Sequence, residues 1–128
     1  MSVLSVGIDL LEVKRMERAI ERWGSRLLER VFTIGERQES ERGVQAQALA
    51  ARYAAKEAVS KCLRTGFSQG VYRKDIEVVS DERGAPGIVL HGGAARVAAG
   101  ARFQLSLTHT DGMAAAVAVM LESPEQIA

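Results

Sequence analysis

The chain of 128 residues has one cysteine, two prolines, two histidines and few aromatics: three Phe, two Tyr and one Trp. Cys62 has no second thiol to join, so no intrachain disulfide forms and no thiolate metal cluster is expected. That pattern fits a reducing, cytoplasmic compartment. The shortage of aromatics leaves a core built mainly from aliphatic residues and alanine. Charge of one sign is also lacking. The formal net charge is +1, too small for a global field toward nucleic acid or an anionic membrane, and neither is expected as a partner. No apolar run approaches the roughly 18 residues a membrane span needs, and Met1-Ser2-Val3-Leu4 lacks a basic region ahead of an apolar one. What remains is ordinary for a globular protein, with 47% hydrophobic and 26% charged residues. The length suits one domain with a real core over residues 1–128, without repeats or an interdomain linker.

Hydrophobic spacing orders the elements. Val3 to Asp9 reads as a strand. From Leu11 to about Arg30, apolar Val13, Met16, Ile20, Trp23 and Leu27 recur at helical intervals, with a break or kink offered by Gly24-Ser25. Thr33 and Glu36 have capping-box spacing, which starts a short helix. After Gly43, an Ala-rich helix runs from Val44 to about Leu63. Its small residues Ala50, Ala54 and Ala58 allow another element to approach closely. A glycine-containing loop from Thr65 to Arg73 leads to a hairpin of Ile76–Val79 and Gly87–His91 around Asp81-Glu82-Arg83-Gly84. A short helix from Ala94 to about Ala99 follows. Two strands, Phe103–Thr108 and Met113–Leu121, turn at Thr110-Asp111-Gly112, and the end of the chain from Glu122 is expected to fray. Helices grouped early and hairpins late give the α+β class.

Three constellations carry chemistry. Asp9 follows the first strand. It reads either as a cap for the helix beginning nearby or as a carboxylate at a strand's carboxyl end, a common place for a Mg²⁺ ligand. Glu57 and Lys61 lie one helical turn apart in Arg52-Tyr53-Ala54-Ala55-Lys56-Glu57-Ala58-Val59-Ser60-Lys61. They read either as an exposed salt bridge or as a metal-binding carboxylate beside a phosphate-binding ammonium. The alanine-rich surroundings point to burial, and a buried carboxylate needs a partner. Ser106-Leu107-Thr108-His109-Thr110 ends a strand, where His109 bonds local backbone or contacts an anion or nucleotide. His91, in the hairpin, has no evident polar support. Nothing resembles a nucleophile elbow or a glycine-rich phosphate loop. Arg15, Arg18, Arg22 and Arg26 share one face of the first helix, either as a solvated face or as a docking strip for an acidic protein.

Taken together, these segments resemble the holo-acyl-carrier-protein synthase family, the small bacterial 4′-phosphopantetheinyl transferases. Val6-Gly7-Ile8-Asp9-Leu10-Leu11-Glu12 is similar to the family's N-terminal GxD motif, and Phe32-Thr33 with Glu36 to its central motif. Arg52 to Lys61 is similar to the signature RFAAKEAxxK with Tyr53 in place of Phe. Gly66 and Asp75-Ile76-Glu77-Val78 suit the loop and strand after it, and Ser106 to Thr110 resembles the late S-[IL]-[ST]-H-[TS] motif.

The resemblance implies a 4′-phosphopantetheinyl transferase fold in which an antiparallel sheet packs against the long Ala-rich helix. It implies transfer of 4′-phosphopantetheine from coenzyme A to a serine of an acyl carrier protein, releasing adenosine 3′,5′-bisphosphate. Asp9 and Glu57 would hold Mg²⁺, Lys61 would contact the phosphates, and Arg52, His109 and Thr110 would belong to the coenzyme A pocket. The catalytic set is then Asp9, Glu57 and Lys61, with Arg15, Arg22 and Arg26 docking the carrier. A homotrimer with sites between subunits is implied as well. Lys56 has no role in this reading. The rivals are another Mg²⁺ phosphotransferase and a non-catalytic carrier-binding scaffold.

Overall fold

The computed structural model describes residues 2–124. Strand β1 (Val3–Glu12) opens the chain, followed by α1 (Val13–Trp23), α2 (Ser25–Val31), α3 (Ile34–Ser40) and the long α4 (Gln45–Leu63). A 3₁₀ turn (Arg73–Asp75) leads into the hairpin β2 (Ile76–Ser80) and β3 (Pro86–Leu90). Then come α5 (Gly92–Ala98), β4 (Arg102–His109) and β5 (Met113–Leu121). The strands form two antiparallel sheets, one ordered β1-β5-β4 and the other β2-β3. The mixed α+β architecture is the one the element order predicts.

Helix α4 organises the core. Leu49, Ala50, Ala54, Ala55, Ala58 and Val59 on it are almost fully buried. It lies against β1 and β5, whose inward positions carry Gly7, Leu11, Ala114, Ala116 and Ala118. The two elements meet backbone to backbone. A Cβ placed on Gly7 would fall 1.9 Å from the Ala58 carbonyl oxygen, so only glycine allows this approach. The small residues expected to admit a neighbour therefore do so, and the glycine of the GxD motif is the other half of the contact.

Several boundaries differ from the sequence reading. β1 continues three residues past Asp9, because Leu10, Leu11 and Glu12 extend the pairing with β5 down to Glu12 opposite Met113. Asp9 is thus inside a strand, opposite Ala116, and neither ends the strand nor caps a helix. The cap position of α1 is Glu12, whose side chain makes no capping bond. The break at Gly24 occurs as expected, with φ at +53°. The capping box also forms: Thr33 Oγ1 accepts from the Glu36 N–H at 3.2 Å, and Glu36 Oε1 accepts from the Thr33 N–H at 2.9 Å. In the hairpin, Asp81 Oδ1 accepts from the N–H groups of Arg83 and Ala85, closing the turn. Glu122 does not fray. Its N–H donates to the Ser2 carbonyl and its Oε1 accepts from the Ser2 N–H, so residues 2 and 122 are tied together. The rest of that expected frayed end, residues 125–128, lies outside the described residues.

One face of the three-stranded sheet is covered by α4. The other is not. Leu4, Val6, Ile8 and Leu10 alternate along β1 toward the open side and are exposed, Ile8 at 67%. An edge strand with a solvent-facing row of large aliphatics is a feature that soluble domains normally cover.

Candidate active site

The close contact of Gly7 with Ala58 brings the two main motifs side by side, and the last turns of α4 carry their charges toward β1. Lys61 Nζ donates to the Ile8 carbonyl at 2.7 Å and to Asp9 Oδ1 at 3.2 Å. Two of the three ammonium donors are engaged, and the side chain is half exposed while Asp9 is mostly covered. Glu57, one turn earlier, does not pair with Lys61. Its partner is Arg73, whose Nε and Nη2 both reach Glu57 Oε1, at 3.3 and 2.9 Å. The guanidinium is sandwiched, 4.1 Å from the Phe67 ring centroid and 5.3 Å from that of Tyr53. Burial pushes the neighbouring Tyr53 phenol up from its ordinary value, so it stays protonated near neutrality.

Arg73 was invisible to sequence spacing. It arrives from the loop after α4, and no periodicity links position 73 to position 57. Neither ion pair found at the site is therefore the i,i+4 salt bridge that the helix alone suggests. Each acid on this surface takes its cation from a different element.

Lys56 finds its place one residue before Glu57. It is fully buried, and Nζ donates to Glu36 Oε1 at 2.8 Å and to the carbonyls of Arg73 and Ile76 at 3.0 and 2.6 Å. Burial pushes its pKa down, while Glu36 opposes that shift. Glu36 in turn accepts from the N–H groups of Thr33 and Val78. The capping box thus doubles as the anchor of a buried ion pair. A chain of contacts continues outward: Thr33 Oγ1 donates to Glu77 Oε2 at 2.7 Å, and His91 Nε2 lies 3.0 Å from Glu77 Oε1. The Thr33 hydroxyl holds the Glu77 carboxyl below the usual carboxylate range. His91 is therefore supported by a polar neighbour, contrary to the hairpin reading, because β2 sets Glu77 beside it.

The remaining candidates are dispersed. Arg52 is partly buried and its Nη1 donates to the Ala48 carbonyl at 3.1 Å, while its Nε is buried with no hydrogen-bond partner. His109 ends β4 and is exposed. Thr110 Oγ1 accepts from the N–H groups of Gly112 and Met113 at 3.3 and 3.0 Å, so this hydroxyl closes the β4–β5 turn. β5 lies between β4 and β1, so one chain does not gather His109 and Thr110 onto Asp9. Arg15 and Arg22 lie on α1 and Arg26 on α2, beyond the break at Gly24, so the three do not share one face of a single helix as expected; all three are exposed. Arg26 lines a cleft of about 590 Å³ with Trp23, Leu27, Arg30, Phe67 and Arg73, which joins the basic helix to the partner of Glu57. Cys62 is buried, donates to the Ala118 carbonyl, and has its pKa raised by burial, which argues against a nucleophilic thiolate.

Among the described residues no group of three or more His, Cys, Asp or Glu side chains is ready to hold a metal. Two partly covered carboxylates, each held through one oxygen, suit a hard cation that takes the rest of its shell from water and substrate phosphate. An all-oxygen donor set of this kind fits Mg²⁺.

Comparison with known proteins identifies the family. The chain is 46% identical over 126 residues to a holo-[acyl-carrier-protein] synthase from Methylobacterium sp. (strain 4-46), covering 92% of this chain and 93% of the relative. Among solved structures, the acyl carrier protein synthase of Mycobacterium tuberculosis is 36% identical. The match covers 96% of this chain and all of that one, with a TM-score of 0.78. The Helicobacter pylori holo-[acyl-carrier-protein] synthase, in complex with coenzyme A, is 28% identical. There the match covers 91% of this chain and 99% of that one, with a TM-score of 0.83. The family model of the 4′-phosphopantetheinyl transferase superfamily matches residues 5–118. With that span of the chain matched, and with relatives above 40% identity along nearly its whole length, the chain belongs to the 4′-phosphopantetheinyl transferase superfamily.

Proposed function

We propose that the chain is a Mg²⁺-dependent holo-acyl-carrier-protein synthase. It transfers 4′-phosphopantetheine from coenzyme A to a serine of apo-acyl carrier protein and releases adenosine 3′,5′-bisphosphate. Residues 1–128 act as one transferase domain. The observation that carries the reading is the Gly7–Ala58 contact, which delivers Asp9 from β1 to Lys61 on the helix that also bears Glu57.

In the reaction the serine oxygen forms a bond to phosphorus while the bond from that phosphorus to the departing phosphate oxygen breaks. The protein's task is positioning and neutralising charge. Asp9 and Glu57 would hold Mg²⁺, which supplies neutralisation of the diphosphate. Lys61, oriented by the Ile8 carbonyl and Asp9, has one donor left for the leaving phosphate, where negative charge grows. Arg52, His109 and Thr110 contribute to the coenzyme A pocket, and Arg15, Arg22 and Arg26 dock the acidic carrier. The serine's proton goes to Glu57 or to water.

A homotrimer with sites between subunits accounts for two features at once. It covers the exposed row Leu4, Val6, Ile8 and Leu10. It also allows His109 and Thr110 of one subunit to reach Asp9 and Glu57 of another, which β5 prevents within one chain. A cytoplasmic location fits the unpaired Cys62.

The test is to incubate the protein with apo-acyl carrier protein, coenzyme A and Mg²⁺ and to weigh the carrier intact. The expected result is a carrier heavier by one phosphopantetheine group, only when Mg²⁺ and coenzyme A are both present. A carrier of unchanged mass, alongside an active control enzyme, overturns the reading in favour of a scaffold or of a phosphotransferase with another donor.

A further inference from the structure

We propose that Lys56 is a positioning residue for Glu57 and acts through Arg73. Lys56 has no access to substrate, since its side chain is fully buried. Its three donors are spent on three elements: Glu36 of α3, the Arg73 carbonyl at the start of the 3₁₀ turn, and the Ile76 carbonyl at the start of β2. An ammonium so completely satisfied is a mechanical pin, because moving any partner leaves a buried charge short of an acceptor.

The pin has a direction. Lys56 and Glu57 are consecutive on α4, and both grip Arg73. Lys56 holds its carbonyl oxygen, and Glu57 holds its guanidinium through Nε and Nη2. Consecutive helical positions diverge by about 100°, so the two grips come from different sides of the helix. One residue held at its backbone and at the far end of its side chain has little freedom left. Phe67 and Tyr53 flank the guanidinium and restrict it further. The consequence falls on Glu57. Its Oε1 is fixed by a cation that cannot swing away, and the carboxylate is presented in one orientation. Lys56 anchors the loop end that makes this possible, and Glu36 anchors Lys56 through the Thr33 capping box and the Val78 N–H. Neighbours that orient a metal-binding carboxylate in this way commonly control its affinity.

This inference rests on the divalent-metal site proposed above. The experiment measures Mn²⁺ binding in the presence of coenzyme A, from the electron paramagnetic resonance signal of the free ion, for the wild type, Lys56→Gln, Arg73→Gln and the double variant, with a thermal melt of each. Gln is chosen because its amide still offers Glu36 a donor. The wild type is expected to bind Mn²⁺, and each single variant to bind it about tenfold more weakly while melting cooperatively. The double variant is expected to lose no more than Arg73→Gln alone, since both substitutions break one linkage. Unchanged Mn²⁺ affinity in Lys56→Gln, or losses that add in the double variant, overturns the proposal. A wild type that binds no Mn²⁺ overturns the metal reading and this proposal with it. Should Lys56→Gln fail to fold, Glu36→Gln carries the test. It keeps the shape of the anchor and weakens its hold on Lys56, so reduced Mn²⁺ affinity is expected and an unchanged value overturns the proposal.

Discussion

Lys56 and Lys61 stand on the same helix, and each faces a carboxylate. Lys56 meets Glu36 at 2.8 Å with neither side chain exposed, and two carbonyls complete its shell. Lys61 meets Asp9 at 3.2 Å with 52% of its side chain open to solvent, and one donor remains uncommitted. The difference is between a charge enclosed and a charge presented. An enclosed ammonium cannot change partners without large cost, so it holds elements in place. A presented ammonium contributes little to stability, because water screens it, but it is free to meet an incoming phosphate. The same residue type thus locks the fold at one position and stays open to solvent at the other, where the proposed chemistry would use it.

The contrast is most exposed to test in stability. Lys56→Met leaves Glu36 charged and buried, and is expected to lower unfolding free energy by about 3–5 kcal/mol. Lys61→Met is expected to lower it by under about 1 kcal/mol. Denaturant titration of both variants checks this, and similar losses would erase the distinction. Activity should follow the opposite ranking of directness. Lys61→Met removes the donor proposed for the leaving phosphate, and kcat is expected to fall by about 10²–10³ with the melting temperature almost unchanged. A variant that keeps wild-type turnover would remove Lys61 from the reaction.

A third substitution probes the contact that lets Lys61 reach Asp9. Gly7→Ala sets a methyl group against the Ala58 carbonyl and must push β1 from α4. The expected cost is about 1–3 kcal/mol, accompanied by reduced turnover even where the protein remains folded. Full activity would mean that the separation of the two motifs matters little. The smallest effect concerns pH. Glu77, held below the usual carboxylate range by the Thr33 hydroxyl and then by His91, adds stability above its unfolded pKa. That contribution is lost as pH falls through the lower, folded value. Unfolding midpoints taken from about neutrality down to about pH 3 should therefore fall less steeply for Glu77→Gln than for the wild type. Identical slopes would detach Glu77 from the network around Lys56.

Much of the local architecture was legible because local patterns carry it. The Thr33 and Glu36 spacing announced a capping box, and the box is there. Asp81 to Gly84 announced the hairpin turn, Gly24 the break between α1 and α2, and the alanines of α4 the close packing. The family resemblance singled out Asp9, Glu57 and Lys61, and the fold brings Lys61 to Asp9. Their partners were not legible. The end of β1 was placed too early, since Leu10 and Leu11 suit a helix as well as a strand until β5 pairs with them. Lys56 had no role and Arg73 none at all, because their contacts span long sequence separations that no periodicity encodes. His91 looked unsupported for the same reason: Glu77 reaches it across the β2–β3 pair.

The amino-acid sequence by itself determined the set of elements and the family, since helical and strand periods, caps, turns and short motifs are properties of neighbours along the chain. The tertiary structure alone decided which cation serves which acid. Glu57 goes to Arg73, Asp9 to Lys61 and Glu36 to Lys56. That allocation depends on how closely β1 approaches α4 at Gly7 and on which ammonium is sealed from water. Both follow from packing in three dimensions, where desolvation and distance set the worth of every charge.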